Sequence, residues 1–507
     1  LQYSEMSGIC YLAGAGPGDL GLVTLKAKQC IEQADVLVYD ALSSAELLTW
    51  VKDECETIDV GKRAADHKLP QEQINELLVK KVAEGNIVVR LKGGDPMIFG
   101  RGGEEAAALS DAGMKFEIIP GISSAFAGPI YAGIPLTHRE YGSQLTVFSG
   151  HDSRDKANSD LDYAQLAKAP GTKVFLMGVA RLREITSKLV EHGADQETPI
   201  ALTRWATTGR QKTIKGTLAN IADIAAAEKF KAPAVGVIGH IINEMENIEW
   251  YENRPLKGKR IVVTRSQEQA PELVNKLSSL GADVIELPVL KICDPVDKRG
   301  FVECVAHVHT YDWLVFSSTN GVRRFFDAFF ALYKDARSLG GVRIAAVGPG
   351  TQAAIESYRF AVDLVPERHI AEGILETFKN EHNVDSQTIL WVRPENARPV
   401  LADGLTEQHA IVDECIAYRI EAEKDDPTGA VERLSEEGAD MVTFTSSSTA
   451  KYFHELGLPW PEGCVAASIG PITTAKLKDL GRKDLVEAQN HSIEGIVAAI
   501  VEQLVDS

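Results

Sequence analysis

Cysteine is scarce in this sequence of 507 residues, and no arrangement of it suits a metal. Cys10, Cys30, Cys55, Cys293, Cys304, Cys415 and Cys464 are odd in number and form neither a C-x-x-C pair nor a cluster with histidine. Reduced thiols and no zinc or iron-sulfur centre are therefore expected. No apolar run reaches the roughly 18 residues that cross a bilayer. The first residues, LQYSEMSGIC, show no basic stretch leading into an apolar one, so a cytoplasmic protein with no membrane partner is expected. No basic block offsets the formal charge of −19. That removes nucleic acid from the expected partners and requires a locally basic cleft for any polyanionic ligand. The segment GAGPGD (Gly14–Asp19) lacks dinucleotide spacing, because Asp19 stands where the third glycine belongs and Pro17 removes a backbone donor. A nicotinamide or flavin site is rejected there, and a different adenosine cofactor fits better.

Charged residues at 25% and hydrophobic residues at 44% are ordinary for a globular chain, and the length suggests two to four domains. Short apolar strands alternate with amphipathic helices, the pattern of α/β domains with largely parallel sheets. Strands are expected at Ile9–Ala13, Val36–Tyr39, Ile87–Leu91, Leu145–Ser149, Lys173–Met177 and Ala234–Ile238. Helices are expected at Thr24–Gln33, Gln71–Ala83, Glu104–Ala112 and Arg181–His192. Between Asn247 and Lys259 the alternation lapses into a polar stretch broken by Pro255 and Gly258, which marks the main domain boundary. The second half repeats itself. VFSSTNGVRRFF (Val315–Phe326) pairs with TFTSSSTAKYF (Thr443–Phe453), and AAVGPGTQAAI (Ala345–Ile355) with AASIGPITTAKL (Ala466–Leu477). Each member is a strand, a turn and a helix opening on hydroxyls, so two similar lobes are expected.

Arg90–Glu105 reads RLKGGDPMIFGRGGEE, an apolar strand breaking into glycines before an acidic helix. Glycine clustered where a strand meets a helix lays backbone against a ligand. With YLAGAGPGDLGLVTLKA, ADVLVYDAL, VGKRAADH, IPGISSAFAGPIYAGIPLTHR and FLMGV in order around it, the segment resembles the tetrapyrrole methylase family, in particular uroporphyrinogen-III C-methyltransferases, over about Gly8–Trp250. The resemblance implies S-adenosylmethionine as methyl donor, S-adenosylhomocysteine as product, two α/β subdomains around the donor, and a homodimer through this half. It nominates Pro17, Gly93, Gly94, Asp95, Ile98, Ser123, Ser124, Met177 and Ala206 as donor-contacting residues. It also nominates Asp40 as general base and Lys62 as proton donor. Carbon methylation of a pyrrole requires an electron-rich ring to attack a methyl sulfonium and then lose a proton. A carboxylate beside the ring stabilises the cation and takes that proton. Arg63, Arg101, His138 and Arg139, beside the matched loops, suit substrate carboxylates. Plainer readings stay open: Asp40 as a helix cap, and Met177 as core.

The second half, about Lys257–Ser507, resembles the uroporphyrinogen-III synthases through VVTR, VFSS, VGPGT, the tyrosine of CIAYRI, FTSSS and IGPIT. The resemblance implies two α/β lobes joined by a two-stranded connector, with the first lobe discontinuous. The expected domains are 8–250, a linker at 251–258, and 259–507, with lobe one at about 259–291 and 421–507 and lobe two at about 294–416. Such an enzyme needs no cofactor and closes hydroxymethylbilane to uroporphyrinogen III with inversion of the last ring. Thr351, Tyr418, Ser446 and Thr473 match its cleft positions, with Tyr418 assisting loss of the substrate hydroxyl. The two activities are consecutive, so a bifunctional enzyme making precorrin-2 for the sirohaem or cobalamin branch is expected. Two alternatives stand beside it: a methylase of ribosomal RNA or of a corrin intermediate, and a methyltransferase carrying a non-catalytic tetrapyrrole-binding module.

Overall fold

The structure is a computed structural model that describes residues 8–40, 45–61, 69–151 and 161–505. The chain falls into two compact units. One holds the chain up to Leu287 together with Asp426–Lys451 and everything from Leu458, and the other holds Pro288–Asp425 with Tyr452–Gly457.

Among the described residues the first unit contains three sheets. Strands β1 (Ile9–Gly14), β2 (Val36–Tyr39), β3 (Glu56–Asp59), β4 (Ile87–Lys92) and β5 (Lys115–Ile119) form a parallel sheet in the order β3-β2-β4-β1-β5. Both faces of its inner strands are covered, which is why β1, β2 and most of β4 are apolar, while the edge strands β3 and β5 are half polar. Leu12, Val38 and Val88 pack on Ile74, Leu78 and Val82 of the helix Gln71–Ala83, while Ala13, Leu37 and Val89 pack on Ala27 and Ile31 of the helix Leu25–Gln33. The second sheet, β6 (Leu145–Ser149), β7 (Thr172–Leu176), β8 (Pro199–Arg204), β9 (Lys212–Thr217) and β10 (Ala234–Ile238), runs in the order β6-β7-β10-β8-β9. Only β6 and β7 pair in parallel; the other pairings are antiparallel, against the expectation of largely parallel sheets. For β8 and β9 the reason is local, since a loop with no crossover helix joins them. The third sheet is parallel, with β11 (Arg260–Val263), β12 (Asp283–Glu286), β18 (Met441–Phe444), β19 (Val465–Ser468) and β20 (Leu485–Glu487) in the order β12-β11-β18-β19-β20.

The second unit holds one sheet. Its strands β13 (Leu290–Cys293), β14 (Trp313–Phe316), β15 (Arg343–Ala346), β16 (Thr388–Pro394) and β17 (Ile411–Ala422) take the order β13-β17-β16-β14-β15. The long β17 pairs in parallel with β16 and, further on, antiparallel with β13. Phe316, Phe325, Phe326 and Phe329 form its fully buried aromatic core. Emptying one such site costs about 3–5 kcal/mol.

The repeat holds in detail. Ser318 Oγ accepts from Gly321 N at 3.1 Å, and Ser446 Oγ accepts from Thr449 N at 3.2 Å, the same helix-capping bond in each lobe. A third repeated segment escaped the sequence reading. His369–Ile374 and His491–Ile496 both spell H-x-x-E-G-I, and each histidine packs against the glycine that precedes Pro349 or Pro471. The polar stretch expected as a linker is a packed joint. Tyr251 and Leu256 are buried, and Leu256 N donates to Leu280 O at 2.9 Å. Among the described residues no helix is long and apolar enough to cross a membrane.

Candidate active sites

Three glycine loops meet where β1, β4 and β5 end. Gly16 and Gly94 exchange backbone hydrogen bonds of 3.2 and 2.7 Å, and Gly121 N donates to Asp95 Oδ2 at 2.9 Å. Asp95 Oδ1 accepts from Met97 N at 2.7 Å, so this carboxylate braces two loops while keeping further lone pairs. A Cβ on Gly121 would stand 2.2 Å from Gly94 O and 2.8 Å from Gly14 Cα, so only glycine allows this junction. Pro17, Gly93, Gly94, Asp95, Ile98, Ser123 and Ser124 all lie on these loops. Ser123 is buried and caps the helix Ser124–Tyr131. The Ala206 loop joins them, because Asp19 N donates to Thr207 Oγ1 at 3.1 Å. Met177 stands at the end of β7, 49% exposed with φ 58°, which is not the setting of a core side chain. Phe99, Arg101, Met177, Trp205 and Thr207, all in matched loops, are among the few non-glycine residues with positive φ. Backbone strain of this kind collects at binding sites. Starting from Gly16, GPGDLG does satisfy G-x-G-x-x-G. Gly21, however, sits in a single turn at Leu20–Leu22 and the helix begins only at Leu25, so no helix N-terminus receives a pyrophosphate there.

Asp40 closes β2 beside a buried charge cluster that the sequence reading missed. Arg90 Nη2 reaches Asp40 Oδ2 at 3.4 Å, while Arg90 Nε and Lys92 Nζ reach Glu105 Oε1 at 3.1 and 2.8 Å. Gln71 Nε2 donates to the same oxygen at 3.2 Å, and among the described residues Glu105 Oε2 has no hydrogen-bond partner. Arg90, Lys92 and Glu105 are at most 4% exposed. Burial, reinforced by the Arg90 charge, lowers the Lys92 pKa, and Glu105 opposes that. The signal was available: Arg90 and Lys92 alternate on one face of a central apolar strand, where charge survives only with a partner.

Arg101 forms a bidentate pair with Glu104, 2.8 Å on both bonds, which raises the Arg101 pKa and lowers that of Glu104. His138 belongs to a separate turn, bonded to Gly142 through both backbones and accepting from Glu140 N at Nδ1, and Arg139 follows it there. Lys62 and Arg63 lie outside the described residues.

In the second unit, Tyr418 is 3% exposed on β17 with its hydroxyl 2.9 Å from Ser318 Oγ. Burial raises its pKa, and the bonds to Ser318 and Asn320 oppose this. Ser318 is thus a site candidate that sequence reasoning passed over, although VFSS contained it. Thr351 is buried in the first turn of the helix Pro349–Ser357. In the first unit, Thr473 holds the matching place in the helix Pro471–Asp479, and Ser446 caps the helix Ser447–Glu455.

The sequence model of the family Uroporphyrinogen-III synthase HemD matches residues 255–498, and that of the Tetrapyrrole (Corrin/Porphyrin) Methylases matches residues 10–222. A porphyrin biosynthesis protein HemD of Ruminiclostridium josui is 32% identical over 500 residues, 98% of each chain. A uroporphyrinogen-III C-methyltransferase of Bacillus subtilis (strain 168) is 38% identical over 384 residues, 75% of this chain and 78% of its own. An S-adenosyl-L-methionine-dependent uroporphyrinogen III methyltransferase of Methanosarcina barkeri is 49% identical over 236 residues, 46% of this chain and 92% of its own.

Proposed function

As a chain that belongs to the tetrapyrrole methylase and uroporphyrinogen-III synthase families at once, this protein, we propose, converts hydroxymethylbilane to uroporphyrinogen III and methylates that product twice to precorrin-2. The observation that supports the methylation is the glycine junction, where Gly14 and Gly121 pack too closely for any Cβ and Gly94 holds a φ of 71°, so that the backbone of three loops converges at one place. The residues present fit an S-adenosylmethionine molecule. Pro17, Gly93, Gly94, Asp95, Ile98, Ser123, Ser124, Met177 and Ala206 would hold it, with backbone groups for its amino-acid end and the adaptable Met177 for its purine. When bound it supplies an electrophilic methyl group.

Asp40 takes the proton that the macrocycle loses, its Oδ2 oriented by Arg90. Glu105 anchors Arg90 from the other side, so the base is set before substrate arrives. Lys62 donates a proton in this reading, and Arg63, Arg101, His138 and Arg139 bind carboxylates of the tetrapyrrole. Arg101 would exchange Glu104 for a substrate carboxylate. In the synthase half, Tyr418 and Ser318 donate toward the leaving hydroxyl while Thr351, Ser446 and Thr473 position the chain, work that is mostly orientation.

We place the methyltransferase at 8–250, the joint at 251–258 and the synthase at 259–507, with lobe one at about 259–291 and 421–507 and lobe two at about 294–416. The break between units at Leu287/Pro288 and Asp425/Asp426 lies within a few residues of the outer ends of that division, although Tyr452–Gly457 goes with the second unit. A cytoplasmic homodimer feeding sirohaem or cobalamin completes the reading. Purified protein given hydroxymethylbilane with and without S-adenosylmethionine tests it. Formation of only the type I isomer sinks the synthase half, and absence of a dimethylated product sinks the methyltransferase half.

A further inference from the structure

The loop Arg204–Gln211, which carries Ala206, is gripped from two sides. On one side it meets the Pro17 turn. Besides the bond from Asp19 N to Thr207 Oγ1, a Cβ on Gly18 would stand 2.8 Å from Thr208 Cγ2, so turn and loop move together. Within the loop, Trp205 and Thr207 hold φ of 46° and 72°. Bulky residues keep that conformation only where their surroundings enforce it. Gln211 supplies part of the enforcement, accepting from Thr207 N at 2.9 Å and donating to Tyr131 O and Glu252 Oε1 at 3.0 and 2.8 Å.

The other side meets the synthase sequence of the same compact unit. Arg210 Nη2 lies 2.7 Å from Glu437 Oε1, and Glu437 also holds Arg260 at 3.1 Å and Arg433 at 3.2 Å. Both of those arginines bind Asp283, at 2.8 and 2.5 Å, so Glu437 is itself rigidly placed. The Gly209 backbone lies flat on residues 282–283, where a Cβ would come 2.2 Å from Ala282 O, and Lys257 Nζ donates to Gln211 O. The Trp205 ring is sandwiched between two guanidinium groups, Arg204 at 3.5 Å and Arg210 at 3.8 Å. The arginine that reaches Glu437 therefore also clamps the strained residue next to Ala206.

We propose that the first synthase lobe completes the methyl-donor site, with Arg210 and Glu437 as positioning residues that hold the Ala206 loop in its donor-binding conformation. The proposal rests on the reading of Ala206 and Pro17 as donor contacts. Titration calorimetry of S-adenosylhomocysteine into the full-length protein, without tetrapyrrole, reads donor affinity apart from turnover. Glu437→Gln and Arg210→Ala each weaken binding about three- to tenfold. The double variant is no weaker than the worse single one, because both substitutions remove the same contact. Arg210→Lys, which keeps the charge, regains part of the affinity. KM for the donor rises more than kcat falls, while hydroxymethylbilane cyclisation, which also reports intact folding, stays at the parent rate. Unchanged affinity in Glu437→Gln overturns the proposal, and fully additive losses in the double variant overturn the pairing. If Arg210→Ala does not fold, Glu437→Gln, an isosteric change, carries the test alone. Failure of the unsubstituted protein to bind S-adenosylhomocysteine is a different result, and it overturns the donor-site assignment itself.

Discussion

Both halves place most of their candidate residues at the carboxyl ends of parallel strands, yet they arm those ends differently. In the first sheet, β4 carries two buried cations onto one buried carboxylate and one half-buried one. In the synthase lobes the corresponding ends carry Ser318, Thr351, Ser446 and Thr473, hydroxyls that cap or open helices. A reaction that creates a cation and sheds a proton calls for fixed charge in a dry place. A ring closure that depends on how a flexible chain is folded calls for many weak hydrogen bonds. The first design loses most when a single group is removed, and the second loses little.

The contrast breaks most readily at Asp40. Asp40→Asn is expected to lower kcat for methylation by about 10²–10⁴-fold with cyclisation unchanged, measured by separate assays of the two steps on one preparation. Equal losses in both steps would erase the distinction. Next comes Glu105→Ala, which strands Arg90 and Lys92 in the interior and is expected to cost about 3–5 kcal/mol in a denaturant titration. Tyr418→Phe probes the opposite design. Losing the hydroxyl's bonds to Ser318 and Asn320 is expected to cost about 1–3 kcal/mol and to slow cyclisation by no more than about tenfold. A loss as large as that of Asp40→Asn would show that the synthase, too, depends on one group.

The smallest effect depends on pH. Burial, with the neighbouring Glu46 carboxylate, pushes the Glu286 pKa up to about 7 from the ordinary 4.5 of a glutamate. Because the folded value exceeds the unfolded one, the neutral form favours folding. That stability is complete below about 4.5 and is lost as pH rises through about 7. Glu286→Gln should therefore raise Tm at pH 8 and leave it nearly unchanged at pH 4, as followed by thermal melts.

Much of the fold could be read from periodicity because many of its strands are short apolar runs set between amphipathic helices. Val36–Tyr39, Leu145–Ser149, Ala234–Ile238 and the helix Gln71–Ala83 match the structure end to end. Strands β8 and β9 were not read, since KTIKGT in β9 is half polar and has no apolar run. The glycine loops were legible because a backbone contact leaves glycine in the sequence. Of the Arg90-Lys92-Glu105 cluster the two cations were legible as charges on an apolar strand, but not their partner, because that pairing depends on a helix that begins at Gly102. Hydroxyl repeats stood out, whereas H-x-x-E-G-I was overlooked because its histidines matter only beside the Gly-Pro turns they pack on.

The discontinuity of the first synthase lobe imposes an order on biosynthesis. Strand β11 pairs with β18, and Arg260 N bonds to Asp440 Oδ2 across 180 residues. A ribosome that has completed the methylase sequence and β12 has thus made a sheet with one open edge, which waits until the strand Met441–Phe444, near the end of the chain, emerges. Glu437 arrives just ahead of that strand. On the nascent chain the Ala206 loop lacks its partner until the synthase lobe closes, so a truncated product would carry all of the methylase motifs without the contact that steadies them.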